Sequence, residues 1–247
     1  MLKMSISNQD DYYLNHEGDS FFSRNFEGKD VPTLRENKHT ILQFIMDSGI
    51  QFDHVLEFGC NYGDLLNYFS EQLGKRAAGV EASRKAVDFG RRLYGGRVDL
   101  YHGTIADNAL SSNSESEESF DFVIADDVLG WVSREQILQS VANIDRSLKD
   151  QGYLFLRDFR PNKCTKNRNH HVLDTDIYNF KVPGSHAKLF LATGMYEVVL
   201  EKVYYDNTVM SAGYRCDNPF NYRWGDVILQ KKKLDYFDEV KMGSSAA

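Results

Sequence analysis

VLEFGCNYGD, at residues 55–64, is the stretch that decides the fold, and GVEAS, at residues 79–83, follows the same pattern. Each begins as an apolar run typical of a buried strand and reaches an acidic residue, and the first continues into a glycine-rich turn. Ligands of open α/β sheets bind beyond the carboxyl ends of the strands. Gly59 and Gly63 would let the backbone pass close to a ligand where a Cβ atom would collide. Glu81 would lie at the end of the second strand, placed to accept hydrogen bonds from a ribose diol.

Strands alternate with helices along the chain. The apolar runs predict strands at residues 54–58, 77–81, 98–101, 120–125, 153–157, 196–205 and 224–231. Helices are predicted after the capping boxes Thr33-x-x-Glu36 and Ser133-x-x-Gln136, from Gly63, from Ser83 to Gly95, and over residues 185–192. This alternation predicts an α/β fold with a seven-stranded, mostly parallel, doubly wound sheet.

The chain is predicted to divide into an arm, one domain and a tail. Residues 1–32 are rich in aromatic side chains, which a disordered tail would lack, so they are expected to pack as an N-terminal arm or lid. Residues 33–232 would form the α/β domain, with an insertion at 158–186 after strand five. Residues 233–247 would be a frayed tail.

The composition excludes several classes of protein. A net charge of −7 argues against a nucleic-acid partner. No apolar run is long enough to span a membrane and the N-terminus lacks a signal-peptide core, so no membrane insertion is expected. Cys60, Cys164 and Cys216 are scattered thiols without a C-x-x-C pair. We therefore expect neither a disulfide framework nor a zinc cluster, and a reducing, cytoplasmic location.

The spacing of the first turn separates two classes of nucleotide site. A dinucleotide site uses G-x-G-x-x-G to bring a helix N-terminus to a pyrophosphate, whereas this turn is Gly59-x-x-x-Gly63, with Glu57 and Asp64 around it. The acids would repel a pyrophosphate and suit a ligand with a cationic amino group. Over residues 53–158 the chain resembles the class I S-adenosylmethionine (SAM)-dependent methyltransferases. The resemblance implies SAM as cofactor, S-adenosylhomocysteine (SAH) as product, and an antiparallel seventh strand inserted between the fifth and the sixth.

The resemblance also implies which residues hold the cofactor. The corresponding positions are Glu57, Gly59, Cys60, Asn61, Gly63, Glu81, Ala82, Thr104, Ile105, Asp126 and Asp127. The turn after strand one would surround the methionine part, Glu81 would bind the ribose hydroxyls, and Ala82 would lie beside the adenine. Thr104 stands where the family often has an Asp that meets the adenine amine, and nearby Asp107 is a substitute. Asp126 would close the pocket near the sulfonium.

Acceptor residues of such enzymes usually come from other segments, and the arm is the first candidate. Tyr12, Tyr13 and His16 would fold over the crevice, with Tyr13 and His16 as catalytic candidates. Arg24 would pair with the SAM carboxylate or with an anionic acceptor. The alternative is a surface arm whose aromatic residues only cover helices.

The second candidate is the connection after strand five, because so long a loop is uncommon in a compact domain unless it is functional or disordered. The substrate-binding candidates are Arg157, Arg160, Lys163 and Arg168, and the catalytic candidates are His170, His171 and Tyr178. A histidine with a near-neutral pKa suits a general base. The alternative is a solvated basic loop with structural histidines.

These features together predict a SAM-dependent methyltransferase that acts on a small, anionic acceptor, with O-methylation favoured. Residues 161–196 resemble methyltransferases found with bacterial surface-glycan genes, including those that methylate the phosphoramidate of capsular polysaccharide. That likeness implies capsule polysaccharide biosynthesis and a precursor such as a phosphoramidate or a sugar phosphate. The alternatives are an N- or C-methyltransferase of a small metabolite, a non-catalytic SAM-binding subunit, a nicotinamide oxidoreductase, or a turn that serves chain geometry alone. No metal is expected.

Overall fold

The computed structural model describes residues 9–107, 110, 120–172, 175–205 and 223–233, and its centre is a seven-stranded sheet. The strands are β1 (His54–Phe58), β2 (Arg76–Glu81), β3 (Asp99–His102), β4 (Phe120–Asp126), β5 (Leu148–Phe159), β6 (Thr165–Arg168), β7 (Tyr178–Lys181), β8 (Tyr196–Tyr205) and β9 (Arg223–Lys231). The sheet order is β3-β2-β1-β4-β5-β9-β8, and β9 runs antiparallel to both of its neighbours. The predicted α/β sheet is confirmed, and its reversed strand lies where the resemblance implied.

Apolar residues cover both faces of this sheet, as parallel strands between two helical layers require. On β1, Leu56 packs into one core cluster and Val55 into the other. Likewise, Val123 of β4 packs into the first cluster and Phe122 into the second. The central strands β1 and β4 are therefore buried on both faces and read in the sequence as nearly continuous apolar runs, whereas the edge strand β8 is mostly exposed.

The helices are α1 (Gln9–Tyr12), α2 (Gly18–Asn25), α3 (Glu36–Asp47), α4 (Asp64–Leu73), α5 (Arg84–Tyr94), α6 (Ile137–Ser147) and α7 (Ala187–Leu191). Ser83 caps α5 as predicted, because its side chain accepts a hydrogen bond from the Ala86 N–H. Neither predicted capping box forms: α3 begins after Arg35 and α6 after Gln136, and neither helix has a side-chain cap. No helix of the described residues is long and apolar enough to cross a membrane.

Two segments outside the sheet, the arm and the insertion, lie against its carboxyl edge. In the arm, α1 continues into α2 through a π-helical turn at Tyr13–Glu17. In the insertion, β6 and β7 pair as an antiparallel hairpin that the sequence analysis did not predict. The predicted tail lies outside the described residues except for Lys233.

Candidate functional site

A cavity of about 780 Å³ lies where the carboxyl ends of β1, β2, β4 and β5 meet the arm and the insertion. The strand order reverses between β1 and β4, so the loops that follow these two strands leave in opposite directions and open a crevice. The arm contributes Tyr13, Glu17 and Phe21 to the wall of this crevice, and the insertion contributes Asn169 and His170. The site is therefore assembled from the sheet edge and the two segments proposed for the acceptor.

The glycine-rich turn after β1 is fixed to the tip of β2. Gly59 has φ +73°, and a Cβ atom there would lie 3.0 Å from Cγ2 of Val128. Asn61, with φ +55°, donates its backbone N–H to Oε2 of Glu81 at 2.8 Å, and the Ser83 N–H donates to Oε1 at 2.9 Å. Burial nevertheless raises the pKa of Glu81. Backbone groups therefore hold a desolvated carboxylate on the cavity wall, ready for further hydrogen-bond donors.

A buried lysine lies between the acids that end β1 and β4. Nζ of Lys38 is 2.5 Å from Oε1 of Glu57 and 2.8 Å from Oδ2 of Asp126. Burial raises the pKa of Glu57 even though Lys38 acts in the opposite direction. Burial also acts to raise the pKa of Asp126, but Lys38 and Arg157 outweigh it and leave that pKa lowered. Oε2 of Glu57 is buried and has no hydrogen-bond partner among the described residues.

A second cation on the cavity wall comes from the residue before α3. Arg35 binds the fully buried carboxylate of Asp64 through its backbone N–H and through Nε and Nη2, at 2.7–2.9 Å. Its guanidinium also lies 5.4 Å from the ring centroid of Tyr62. Within the described structure, Nη1 of Arg35 makes no hydrogen bond, so one side of the group is available to an anion in the cavity.

Hydrogen bonds of Gln9 and Asp19 connect the arm to the rim of the cavity. Gln9 exchanges hydrogen bonds of 2.9 Å with the backbone of Tyr178 in the insertion hairpin. Oδ1 of Asp19 accepts from Oγ of Ser83 at 2.8 Å and from the Lys85 N–H at 2.9 Å. These polar contacts hold the arm against the rim of the cavity.

Two residues after β4 face the β5 side of the cavity. Asp127 has φ +50° and donates its backbone N–H to the Arg157 carbonyl at 2.8 Å. Burial, Asp126 and Asp158 raise the pKa of Asp127 well above its usual value. Trp131, two residues beyond Leu129, also lines the cavity, and its ring centroid lies 5.9 Å from that of Tyr13.

Just over half of the predicted site residues line the cavity, and the others do not. The predicted residues that line the cavity are Tyr13, Gly59, Asn61, Glu81, Ala82, Thr104, Ile105, Asp126, Asp127, Arg157, His170 and His171. The predicted residues that do not line it are Tyr12, His16, Arg24, Glu57, Cys60, Gly63, Arg160, Lys163, Arg168 and Tyr178.

Ion pairs explain why three of the predicted cations are not available to a ligand there. Arg24 pairs with Glu17 at 2.5 Å, Arg160 pairs with Glu201, and Arg168 lies 3.0 Å from Asp176. Arg157 does reach the cavity, but it is held by two hydrogen bonds of 2.7–2.8 Å to Asp226. In the insertion, Arg160 and Arg168 therefore face carboxylates of the chain itself.

Local packing explains why Gly63, Cys60 and Tyr178 do not line the cavity either. Gly63 is the left-handed residue before α4, and a Cβ atom there would lie 3.1 Å from the Leu100 side chain rather than in the cavity. Cys60 is fully buried beneath the turn, and burial raises the pKa of its thiol well above the usual value. The hydroxyl of Tyr178 lies 3.0 Å from Nη2 of Arg168 on the exposed side of the hairpin.

Sequence reasoning missed several residues of the cavity. These are Asp10, Glu17, Arg35, Lys38, Asn169, Tyr204, Tyr205 and Trp224. Lys38 did leave a signal, because it occupies the apolar stripe of α3 between Leu34 and Ile41, where a charged residue must find a buried partner. Tyr204 and Trp224 lie on antiparallel β8 and β9, far along the chain from the motifs, and no local pattern marks them.

Comparison with known proteins agrees with this fold. Residues 55–152 match the sequence model of a family described as Methyltransferase domain. The 1,6-didemethyltoxoflavin-N1-methyltransferase of Burkholderia thailandensis, solved with its substrate and SAH, has a TM-score of 0.61 at 16% identity over 91% of both chains. The N-methyltransferase NodS of Bradyrhizobium japonicum, solved with SAH, has a TM-score of 0.56 at 16% identity, covering 92% of this chain and 100% of its own.

An O-methyltransferase shares the architecture as well. The StiE O-methyltransferase segment has a TM-score of 0.54 at 15% identity, covering 79% of this chain and 75% of its own. No curated protein matches the chain at a significant level. The resemblance to the class I SAM-dependent methyltransferases is thus confirmed at the level of the fold and the methyltransferase domain.

Proposed function

We propose that the chain is a SAM-dependent methyltransferase that acts on a small-molecule acceptor. The observation that carries this proposal is the pairing of the Gly59 turn with Glu81, at the ends of the neighbouring strands β1 and β2, on the wall of the cavity. Glu81 keeps lone pairs free for a ribose diol while backbone N–H groups fix its orientation. The SAH bound in two structural relatives supports the same cofactor here.

The residues present fit the chemical groups of SAM. Glu57 has a buried oxygen without a partner among the described residues, as expected of an acid that assists an ammonium or its bound water. Arg35 offers Nη1 to a carboxylate from the other side of the turn. Gly59 leaves the space that a Cβ atom would take next to Val128. When bound, SAM would supply a methyl group already activated by its sulfonium, so the chain has to position the acceptor and remove a proton where needed.

The acceptor side is formed by the arm and the insertion. Asn169 is buried and lies 3.4 Å from the hydroxyl of Tyr13 and 3.3 Å from Oε1 of Glu17, which joins the two segments. His170 and His171 follow it, with ring centroids 3.9 Å apart. Burial and the neighbouring His170 lower the pKa of His171, which favours the neutral form that accepts a proton. These contacts support a lid role for the arm and a base role for either histidine.

The narrower prediction was O-methylation of an anionic acceptor, such as a capsule or glycan precursor. The described contacts lend it little support, because Arg160 and Arg168 pair with acids of the chain and Arg157 is held by Asp226. Relatives of both N- and O-methyltransferase activity share the fold. A cytoplasmic location, expected from the free thiols, stays a prediction.

Calorimetry with SAH, SAM and NAD tests the proposal directly. We expect binding of SAH and SAM but not NAD, and loss of that binding in Glu81→Gln. Heat with NAD alone would favour a nicotinamide oxidoreductase. An assay of SAH release with a panel of small acceptors then separates an enzyme from a non-catalytic SAM-binding subunit, since only the enzyme turns over.

A further inference from the structure

Asp127 is a desolvated carboxylate without an ion pair on the acceptor side of the cavity. In the described part of the chain, no cation pairs with it and its side chain makes no hydrogen bond, whereas Asp126 is bound by Lys38. Lys181, whose charge acts on Asp127, places its ammonium over the Phe159 ring, 3.5 Å from the centroid. A buried charge without a partner is costly, so this position favours a ligand that brings a positive charge.

The backbone conformation at Asp127 is unusual for a residue with a side chain. Asp127 has φ +50°, a left-handed conformation that Asp and Asn adopt more readily than other residues with a side chain. Its N–H is bound to the Arg157 carbonyl of β5, which places residue 127 on the β5 half of the sheet edge, away from Glu81 on β2. Non-glycine residues in this conformation concentrate at functional sites.

Aromatic rings also line the cavity. Those on its wall are Tyr13, Phe21, Trp131, Tyr204, Tyr205 and Trp224. Aromatic faces attract cations and stack on planar groups. An anionic acceptor would instead meet the carboxylate of Asp127, while Arg160 and Arg168 of the insertion are already paired with acids.

We propose that the acceptor is an amine that binds as its ammonium form, and that Asp127 binds this ammonium and takes its proton before methyl transfer. This inference rests on the proposed methyltransferase function and names its substrate class. It differs from the predicted cofactor role of Asp127, because the side chain stands on the acceptor side.

The chemistry of this step balances. One N–H bond of the ammonium breaks, its proton forms an O–H bond on Asp127, and the nitrogen regains its lone pair. That pair forms the bond to the methyl carbon as the carbon–sulfur bond breaks and its electrons stay on sulfur. The positive charge of the sulfonium and the negative charge of the carboxylate both disappear, while the nitrogen ends as a methylated ammonium. The proton on Asp127 then returns to solvent.

The charged groups that act on the pKa of Asp127 come from three elements. They are Asp126 of β4, Arg157 and Asp158 of β5 and Lys181 of β7. The two acids disfavour the carboxylate, and the two cations favour it without contacting it. A bound ammonium would therefore add the contact that the chain itself does not provide.

The two tryptophans of the chain, Trp131 and Trp224, both line the cavity, so their fluorescence reports its occupancy directly. The probes are tyramine, tyrosol and 4-hydroxyphenylacetate, which share one ring and differ in carrying an ammonium, a hydroxyl or a carboxylate. Each is titrated into the protein saturated with SAH. We expect tyramine to bind roughly tenfold or more tightly than tyrosol, as a charge-assisted hydrogen bond allows, and 4-hydroxyphenylacetate to bind most weakly.

Asp127→Asn keeps the size and the backbone conformation while removing the charge. It should reduce tyramine affinity to the level of tyrosol and leave tyrosol binding unchanged. Asp99→Asn, at the exposed start of β3 on the opposite sheet edge, makes the same change in net charge and should leave the tyramine preference intact. A preference for the carboxylate probe, equal binding of all three, no binding of any, or a tyramine preference that survives in Asp127→Asn would each overturn the inference.

Binding of SAH is measured first, because it distinguishes failure of the amine inference from failure of the proposed methyltransferase function. If SAH binds and the amine preference is absent, only the amine inference fails. If SAH does not bind, the proposed function fails and takes this inference with it.

Discussion

Nζ of Lys38 on α3 lies 2.5 Å from Oε1 of Glu57 at the end of β1, and both side chains are almost completely buried. The same ammonium reaches Asp126 at the end of β4, so one lysine joins the two acids at the point where the strand order reverses. Removing one partner of a buried pair leaves an uncompensated charge, which is the most costly change such a site permits. The pair therefore couples the stability of the fold to the geometry of the cavity.

Lys38→Met should destabilise the protein by about 3–5 kcal/mol at pH 8, the range for breaking a buried ion pair. The deficit should shrink as the pH falls towards about 4. Without the lysine, burial would hold the pKa values of Glu57 and Asp126 above those of the unfolded chain, so the penalty exists only where the carboxylates are ionised. Urea unfolding at several pH values measures this.

Lys75→Met is the matched control, because Lys75 pairs at 3.2 Å with an Asp53 that is 94% exposed. Surface pairs contribute about 0–1 kcal/mol, so this variant should stay close to the parent. Equal losses in the two variants, or a Lys38→Met deficit that grows as the pH falls, would contradict the role given to the buried pair.

Glu81→Gln should weaken SAH binding by roughly tenfold to a hundredfold, since hydrogen bonds to a charged group contribute about 1.5–3 kcal/mol. The amide keeps the size of the side chain but loses one acceptor oxygen and the charge. Calorimetry measures the affinity, and thermal unfolding without ligand checks the fold. Glu71→Gln, which removes an exposed partner of Arg97 on α4, is the control and should bind SAH normally. An unchanged affinity in Glu81→Gln would place the ribose elsewhere.

The centre of the sheet could be predicted from the sequence because β1 and β4 are buried on both faces and stand out as apolar runs. The helix starts could not, because tertiary contacts replaced local ones. The Arg35 N–H, next to the predicted cap of α3, is bound by the distant Asp64 rather than by Thr33. At Ser133, the N–H reaches Asp10 of the arm at 3.3 Å.

The proposed cofactor half of the site follows local motifs, whereas the proposed acceptor half depends on segments distant in the chain. The turn at Gly59 and the acid at Glu81 could be located from spacing alone. The hairpin of β6 and β7 could not, because β6 is Thr-Lys-Asn-Arg and has no apolar alternation. The histidines at its tip were found by residue type, but Asn169, which binds the arm, carries no such mark.

Gly18→Ala should weaken SAH binding, although helix propensity alone would predict a more stable arm. A Cβ atom at Gly18 would lie 2.8 Å from the Tyr13 carbonyl oxygen and 2.9 Å from the Ser83 nitrogen. These are backbone atoms, so the arm must move away from the tip of β2. Overpacking of this kind costs about 1–3 kcal/mol, or roughly fivefold to a hundredfold in affinity if it falls on the bound state.

Ser20→Ala controls for the change in the arm helix, since Ser20 is exposed on α2. It should bind SAH as the parent does in the same calorimetric titration. Normal affinity in Gly18→Ala would mean that the arm contributes nothing to the cofactor side of the cavity.

Arg168→Ala and Asn169→Ala, neighbouring changes in the insertion, should have different effects on turnover. Arg168 forms an exposed pair with Asp176, so its loss should change kcat/KM by less than about twofold. Asn169 is buried between Tyr13 and Glu17, and its truncation leaves polar groups of the arm unpaired, which costs about 1–3 kcal/mol. SAH release with an active acceptor gives both constants. A larger effect from Arg168→Ala would restore the predicted anionic acceptor.

Asp127→Asn should make the ligand-free protein more stable, with a gain that grows as the pH rises. The folded pKa of Asp127 is raised above that of the unfolded chain by burial, Asp126 and Asp158, so ionisation penalises the folded state. That penalty is absent below about pH 4, the unfolded pKa, and is complete once the pH exceeds the folded pKa. Each 1 kcal/mol relieved corresponds to about 2–4 °C in Tm for a chain of this size. Calorimetric scans from pH 4 to pH 8 measure the difference, and Asp99→Asn, exposed and distant, should track the parent throughout. A gain at pH 4 that disappears by pH 8 would mean that Asp127 is held by a cation in the folded chain. The predicted trend instead marks a carboxylate that lowers the stability of the ligand-free fold and serves a ligand, the usual relation between stability and function at an active site.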